Sequence, residues 1–149
     1  MSVPSKTMKQ LGKKDYEALA AFRYRLRQFL RFSDQAARSV GLTPQQHQAL
    51  LAVIGFPQRD QITIGELAER LQIKHHSAVG LADRLEAQGL LERSVKEHNL
   101  RQVFIQLTPK GMDLVQRLSQ VHHWELARIG EELRGLLAQI DALTDRTAE

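Results

Sequence analysis

His75, His76, Ser77, Gly80 and Arg84 fall on one side of a helical repeat that Lys74 precedes, and Arg93, Lys96 and Arg101 come close behind them in the chain. Cations, imidazoles and a hydroxyl in that arrangement suit the binding of phosphate and of hydrogen-bonding base edges. Bond-making chemistry has no comparable support. The carboxylates are scattered over helix surfaces, where paired acid/base work cannot be inferred. No Gly-rich phosphate loop, G-x-S-x-G elbow or H-E-x-x-H occurs in the chain, so no enzyme and no cofactor is implied.

The elements that must position these side chains can be read locally. Thr63 and Glu66 have the spacing of a capping box, and Ile62 and Leu67 that of a hydrophobic staple, which predicts a helix over 63–71. Gln72, Ile73 and Lys74 leave room only for a turn into a second helix over 75–88, with Ala78, Leu81, Ala82 and Leu85 on its buried stripe. Gly89 followed by Leu90 fits a left-handed cap with a Leu85/Leu90 contact. The opposite face of that second helix carries His75, His76, Ser77, Gly80 and Arg84. It is either a solvated face or one that enters a groove with its N-terminal residues leading, where the helix dipole also favours phosphate.

The next two segments of the chain favour the groove. Leu90–Val95 and Gln102–Leu107 read as strands, the second with Val103, Ile105 and Leu107 alternating with Gln102, Phe104 and Gln106. Between them K-E-H-N-L-R is a polar tip flanked by Lys96 and Arg101, and a cationic hairpin of this kind grips phosphate or probes a minor groove. Helix, turn, helix and hairpin make a winged helix-turn-helix, with the wing over 91–107 and the whole lobe over 41–108. Arg93 and Arg84 have a second reading, as surface ion pairs with Glu92 or Glu86 worth at most about 1 kcal/mol.

L-A-D-R-L-E-A-Q-G-L-L-E-R and N-L-R-Q-V-F-I-Q-L-T-P-K-G resemble the recognition helix and wing signature of the MarR (multiple antibiotic resistance regulator) family. Asn99 stands where that family usually has Asp, and it cannot form an ion pair with Arg101. Lys74 stands where a Ser often caps the recognition helix; it has no acceptor oxygen, and Ser77 is an alternative, later cap. The resemblance implies a mainly α fold with a small β-hairpin wing, and N- and C-terminal helices that form a dimerisation region. It also implies a small organic effector held between those helices and the lobe.

Composition sets wide bounds. With 149 residues, 42% of them hydrophobic and 26% charged, the chain fits one globular domain or a small domain with extra helices. The absence of cysteine excludes disulfides, thiolate metal sites and sensing by cysteine oxidation. No apolar run approaches the roughly 20 residues of a membrane span, and the first residues lack the apolar core of a signal peptide. The cytoplasm is therefore the expected location, with no membrane partner. The net charge of +4 is not concentrated on the lobe: residues 74–101 hold five basic residues against four acidic ones, whereas residues 1–14 hold Lys6, Lys9, Lys13 and Lys14 with no acid. That basic arm, expected to be flexible, is either a solvated tail or a phosphate-seeking arm.

The remaining helices emerge from periodicity. Leu19, Phe22, Leu26, Phe29, Ala36 and Val40 form a stripe over 15–40 that Ser33 interrupts, with more apolar surface than a small winged helix can cover. Thr43, Pro44 and Gln46 start a helix that runs to Ile54, with His47, Leu50, Leu51 and Ile54 on its buried stripe; His47 is a satisfied core histidine or an effector contact. G-F-P-Q-R-D-Q reads as a polar linker. After the wing, Thr108 and Pro109 open a helical region over 109–146 with a stripe from Met112 through His122, Leu126 and Ile129 to Leu143. Unbroken from Pro109 to Thr144 it would be roughly 54 Å long, so Gly130 is the expected break, a straight helix with a tolerated glycine being the alternative. Leu19, Phe22, Leu26, Leu133, Leu136 and Ile140 are the expected dimerisation residues.

The chain therefore reads as a homodimeric, sequence-specific regulator of transcription, a repressor that binds double-stranded DNA at a pseudo-palindromic operator and is relieved by a small molecule. Lys74, His75, His76, Ser77, Gly80, Arg84, Arg93, Lys96 and Arg101 are the DNA-binding candidates, and Phe29, His47 and Trp124 the effector-binding ones. A winged helix that binds protein, or a histidine-dependent metal-responsive regulator, is the alternative. Against metal, the adjacent pairs His75-His76 and His122-His123 point about 100° apart on a helix and cannot easily chelate together; His98 could join one of them only in space.

Overall fold

The computed structural model describes residues 10–96 and 99–145, without the side chains of 96, 99–101 and 143–145. Its elements are α1 (Lys13–Ser39), α2 (Pro44–Ile54), β1 (Gln61–Thr63), α3 (Ile64–Leu71), α4 (His75–Ala87), β2 (Leu91–Lys96), β3 (Asn99–Leu107) and α5 (Pro109–Asp145). The chain divides into two compact units: 1–32 with 123–149, and 33–122. Residues 1–9 of the basic arm lie outside the described residues, and its last two belong to α1.

Local capping chemistry sets the boundaries in the 33–122 unit. Thr43 and Thr63 each accept a hydrogen bond from the backbone N–H three residues on, while Gln46 and Glu66 accept one back from the cap's own N–H, completing both boxes. Gln72, at φ 54°, takes the left-handed conformation that ends α3 and turns the chain toward α4. Gly89, at φ 73°, does the same after α4. Its N–H donates to the Glu86 carbonyl and that of Leu90 to the Leu85 carbonyl, both at 2.9 Å, which is a Schellman ending with Leu85 and Leu90 both buried in the core.

Five elements supply the fully buried centre of this unit: Leu50 and Val53 from α2, Ile62 from β1, Leu67 from α3, Leu81 and Leu85 from α4, and Ile105 from β3. Val115 and Leu118 of α5 and Ala37 of α1 join the same cluster. Each such Leu or Ile contributes about 1.5–3 kcal/mol by leaving water, enough for this cluster to hold two short helices and a small sheet in register.

The structure corrects several expectations. The polar linker ends in a strand: Gln61, Ile62 and Thr63 pair with Gln106, Ile105 and Phe104, so the hairpin is part of a three-stranded antiparallel sheet of order β1-β3-β2. A three-residue strand has too short a pattern to register as a period of two. β3, as the central strand, is also covered on both sides at its middle, and Phe104 and Ile105 are both buried where strict alternation predicts one. On α2 the buried side is Gln46, His47, Ala49, Leu50 and Val53, and Leu51 is exposed. Helix α1 begins at Lys13, two residues early, because the Asp15 carboxylate accepts the Gly12 backbone N–H at 2.8 Å and caps the start. Gly130 does not break the last helix. α5 continues through it to Asp145, since one glycine costs a helix only about 1 kcal/mol and its neighbours form helix readily.

In the other unit, Arg25 of α1 pairs with Glu132 of α5 at 2.7 Å, and Ala18 and Ile129 are buried. Much of the apolar stripe is not: Leu19, Leu26, Leu30, Leu126 and Leu137 stand in solvent, and Trp124 is 67% exposed. No described helix is long and apolar enough to cross a membrane.

Gly111, in the first turn of α5, lies against the strand entry. A Cβ built there would collide with the Leu90 carbonyl oxygen, a backbone atom that cannot swing aside. Gly111→Ala should therefore destabilise the protein by about 2–4 kcal/mol in urea unfolding, the range of strain from forced overpacking and above. Gly135→Ala, on the same helix with open space around it, should instead stabilise by up to about 1 kcal/mol.

Candidate nucleic-acid interface

The candidate surface is built by α4, its N-terminal approach and the wing. Lys74 is the N-cap of α4, in extended conformation, and its side chain makes no capping hydrogen bond. The helix starts at His75 without the acceptor that Ser77 could have offered further on, so Ser77 sits within the first turn. Four N–H groups open every α-helix, and here no side chain of the cap takes any of them. Lys74, His75, His76 and Ser77 are all exposed, and no acidic residue lies in that turn. The start of α4 is thus a cluster of donors and a positive dipole end facing solvent.

One turn on, Gly80 leaves the helix surface low, and Arg84 Nη1 lies 3.9 Å from the point a Cβ at Gly80 would occupy. The Arg84 guanidinium therefore folds back toward the N-terminal half of its helix. Among the described residues Arg84 has no ion-pair partner, and neither Glu86 nor Glu92 engages it.

Arg93 behaves differently. Its Nη2 lies 2.6 Å from Asp83 and its Nη1 3.6 Å from Glu86, both on α4. The expected partner Glu92 instead accepts from Gln106 Nε2 across the β2–β3 pair, at 2.7 Å. Cross-strand neighbours on one face meet more readily than sequence neighbours, whose side chains point to opposite faces. Arg93 is consequently a brace from the first wing strand to α4, and it neutralises the two acids in that helix's later turns. These groups are about a third exposed or more, so the pair adds under about 1 kcal/mol to stability.

In the wing, Lys96 pairs with Asn99 across the tip after a register irregularity at Val95/Lys96, and Arg101 comes next but one on β3. The side chains of Lys96, Asn99 and Arg101, and all of His98, lie outside the described residues. Val95 and Val103 face each other across the two strands and are both exposed, Val95 by 50%. Alternation along β3 gives no sign of this apolar surface pair, because period alone does not say which face is covered. Sequence reasoning also misses Lys110. Its Nζ donates to the Gln88 carbonyl at 3.1 Å, closing the C-terminal end of α4, where a cation complements the dipole.

The effector candidates do not share one environment. Phe29 is half-buried on α1, Trp124 is largely exposed on α5, and His47 is buried in the core of the 33–122 unit. His47 is not fully satisfied there, since its Nδ1 is buried without a hydrogen-bond partner. Among the described residues no three His, Asp or Glu gather as a metal site.

Residues 40–102 match the sequence profile described as the MarR family. The chain is 31% identical over 67 residues to YfiV, an uncharacterized HTH-type transcriptional regulator of Bacillus subtilis, the match covering 45% of this chain and 42% of that protein. It is 35% identical over 86 residues to a riboflavin kinase of Thermococcus kodakarensis, covering 56% of this chain and 38% of the kinase. The chain thus spans about two fifths of the length of either curated relative. In fold it resembles a MarR family protein from Bacillus stearothermophilus, with TM-score 0.72 and 21% identity over 95% of this chain and 100% of that one. It also resembles a mutant of MepR from Staphylococcus aureus bound to an oligodeoxyribonucleotide, with TM-score 0.64 and 23% identity over 85% of this chain and 95% of that one. At 21% and 23% identity the likeness to these solved structures is one of fold.

Because Lys74 gives α4 no cap, Lys74→Ser should supply the missing acceptor and raise stability by about 1 kcal/mol, read as a higher urea midpoint at unchanged slope. An unchanged or lower midpoint would show that the first turn is already satisfied in another way.

Proposed function

We propose that this protein, whose central lobe is a winged helix of the MarR type, is a homodimeric, sequence-specific DNA-binding regulator of transcription. The observation that carries the reading is the start of α4: an exposed, carboxylate-free first turn with uncapped N–H donors, Lys74 beside it and Arg84 folded toward it. Base-edge contacts fall to His75, His76 and Ser77, and phosphate or minor-groove contacts to Lys74, Arg84, Lys96 and Arg101. Gly80 permits close approach of the backbone but reads nothing itself, so part of the discrimination rests on DNA shape. Arg93 serves by holding the wing to the helix rather than by touching phosphate. A protein-binding module would need apolar surface at the head of α4, where the polar set stands instead.

Dimerisation is proposed for the apolar side chains of the 1–32 and 123–149 unit. Leu19 and Leu26 are exposed, Phe22, Leu133, Leu136 and Ile140 are half-buried, and Leu137 and Trp124 extend the patch. Two lobes joined this way would address half-sites about one helical turn apart on a pseudo-palindromic operator. The protein acts as a repressor in the cytoplasm, and a small organic effector with different affinity for the DNA-competent and DNA-incompetent arrangements relieves it. Phe29 and Trp124 are the aromatic groups proposed to meet it, and His47 is the candidate within the core.

Binding of the purified protein to the DNA upstream of its own gene, across a salt series, tests this directly. The wild type should bind selectively with a steep slope of log affinity against log salt. Arg84→Ala, Arg101→Ala and Lys74→Ser should each flatten it by roughly one unit for every phosphate no longer neutralised, hence about two for a dimer. Weak, sequence-independent binding would leave the lobe as a protein-interaction module. In sedimentation, Leu26→Glu combined with Leu137→Glu should convert a dimer into a monomer, and a wild type already monomeric at micromolar concentration would remove the dimer from the proposal.

A further inference from the structure

Three side chains that the DNA-binding reading leaves unused meet inside the 33–122 unit. His47 of α2 is 4% exposed, with its ring centroid 4.9 Å from that of His122 on α5 and the two planes tilted by 43°. His122 Nδ1 lies 2.6 Å from the Leu118 carbonyl oxygen, and its Nε2 lies 2.8 Å from the Oγ of Ser33 on α1, itself buried. Ser33 and His122 are the polar residues that interrupt the apolar stripes of their helices.

The hydrogen bonds fix the proton inventory. A carbonyl only accepts, so Nδ1 of His122 carries a hydrogen. In the neutral ring Nε2 is then an acceptor, and the Ser33 hydroxyl donates to it. Protonation of His122 would turn Nε2 into a donor, and the hydroxyl could rotate to accept, so both charge states keep two hydrogen bonds. His47 has no such freedom. Its Nδ1 is buried without a partner, and burial first, then the charge of His122, lower its pKa below 6.5. The titratable group facing it is His122 from α5, whose Nε2 is hydrogen-bonded to Ser33 of α1; among the described residues no carboxylate contributes to its electrostatics. Two imidazolium rings at this separation without an anion would repel each other strongly, so the pair takes up at most one proton beyond its two neutral N–H groups in the folded lobe.

We propose that the His47–His122–Ser33 cluster is a proton-responsive device that loosens the packing of α2 against α1 and α5 in acid. The effect on operator binding rests on the DNA-binding reading, but the device itself does not. A metal is not the natural occupant, because both nitrogens of His122 are already engaged and no third ligand gathers among the described residues.

Linkage gives the direction of the effect. A histidine whose folded pKa is lowered binds its proton more readily when unfolded. Its neutral form therefore supports the fold fully above the unfolded value near 6.5, and the support is lost as pH falls from there through the lowered folded value.

Titration of the imidazole carbon protons by NMR on the DNA-free protein, with melting temperature followed from pH 7.5 to 5, tests it. His47 should titrate below the ordinary histidine midpoint, and in His122→Gln that midpoint should rise as the neighbouring charge is removed. The acid loss of melting temperature should be smaller in both His47→Gln and His122→Gln than in the wild type. An ordinary midpoint for His47 that His122→Gln leaves unmoved would overturn the proposal, as would parallel melting curves for all three proteins. Zinc stabilisation that both variants abolish would also overturn it, assigning the pair to a metal. Failure of operator binding at pH 7.5, with these titrations as expected, would count against the DNA-binding reading alone.

Discussion

The lobe depends on one crowded junction, where the end of α4, the start of β2 and the start of α5 are tied together through backbone groups. Thr108 is at its centre. Its N–H donates to the Leu90 carbonyl at 3.1 Å, and its hydroxyl donates to the Gly89 carbonyl at 2.6 Å while accepting the Gly111 N–H. Gly111 must lack a side chain for the helix to come this close to Leu90. The same few residues end α4, start the wing and launch the long C-terminal helix. The angle between α4 and the hairpin is thereby set by main-chain hydrogen bonds and a steric limit, both stiffer than side-chain packing alone. Arg93, reaching from β2 to Asp83 and Glu86, adds a second tie on the surface above this junction.

Much of this is legible in the sequence because it is written in short-range rules. The two capping boxes at Thr43 and Thr63, the glycine ending at Gly89, the Thr108-Pro109 start and the stripes of α3 and α4 each depend on residues a few positions apart, and those are the interactions a sequence states outright. What escapes depends on who sits opposite. β1 is a strand only because β3 offers it a partner. Phe104 is buried only because a central strand has two covered faces. Leu51 lies on the wrong side of α2 by one residue, about 100° of helix, a rotation that the three-dimensional core decides. The long helix shows a different weakness: a glycine costs little enough that its neighbours override it.

The candidate surface divides along the same line. That His75, His76 and Ser77 stand together at an exposed helix start is a matter of helical periodicity. That Arg93 is occupied by acids ten and seven residues before it, while Arg84 has no acid paired with it among the described residues, requires the geometry. Charge counting cannot separate them, since both arginines sit among carboxylates in the sequence. His47 illustrates the converse. The pattern places it inside, where it is, but a buried histidine is expected to have its ring nitrogens bonded, and the missing partner appears only when its surroundings are laid out.

The three-stranded sheet has a consequence for how copies of this chain can associate. A small open sheet leaves two edges whose unpaired backbone groups are templates for edge-to-edge polymerisation. Here one edge is β1, only three residues long and preceded by Arg59 and Asp60. The other is β2, which carries Glu92 and Arg93 in the open and is interrupted by the register irregularity at Val95/Lys96. Both edges are blunted by shortness, charge or misregister, so the sheet is a poor seed for fibrils. The β-wing can thus be kept without its becoming the glue between molecules.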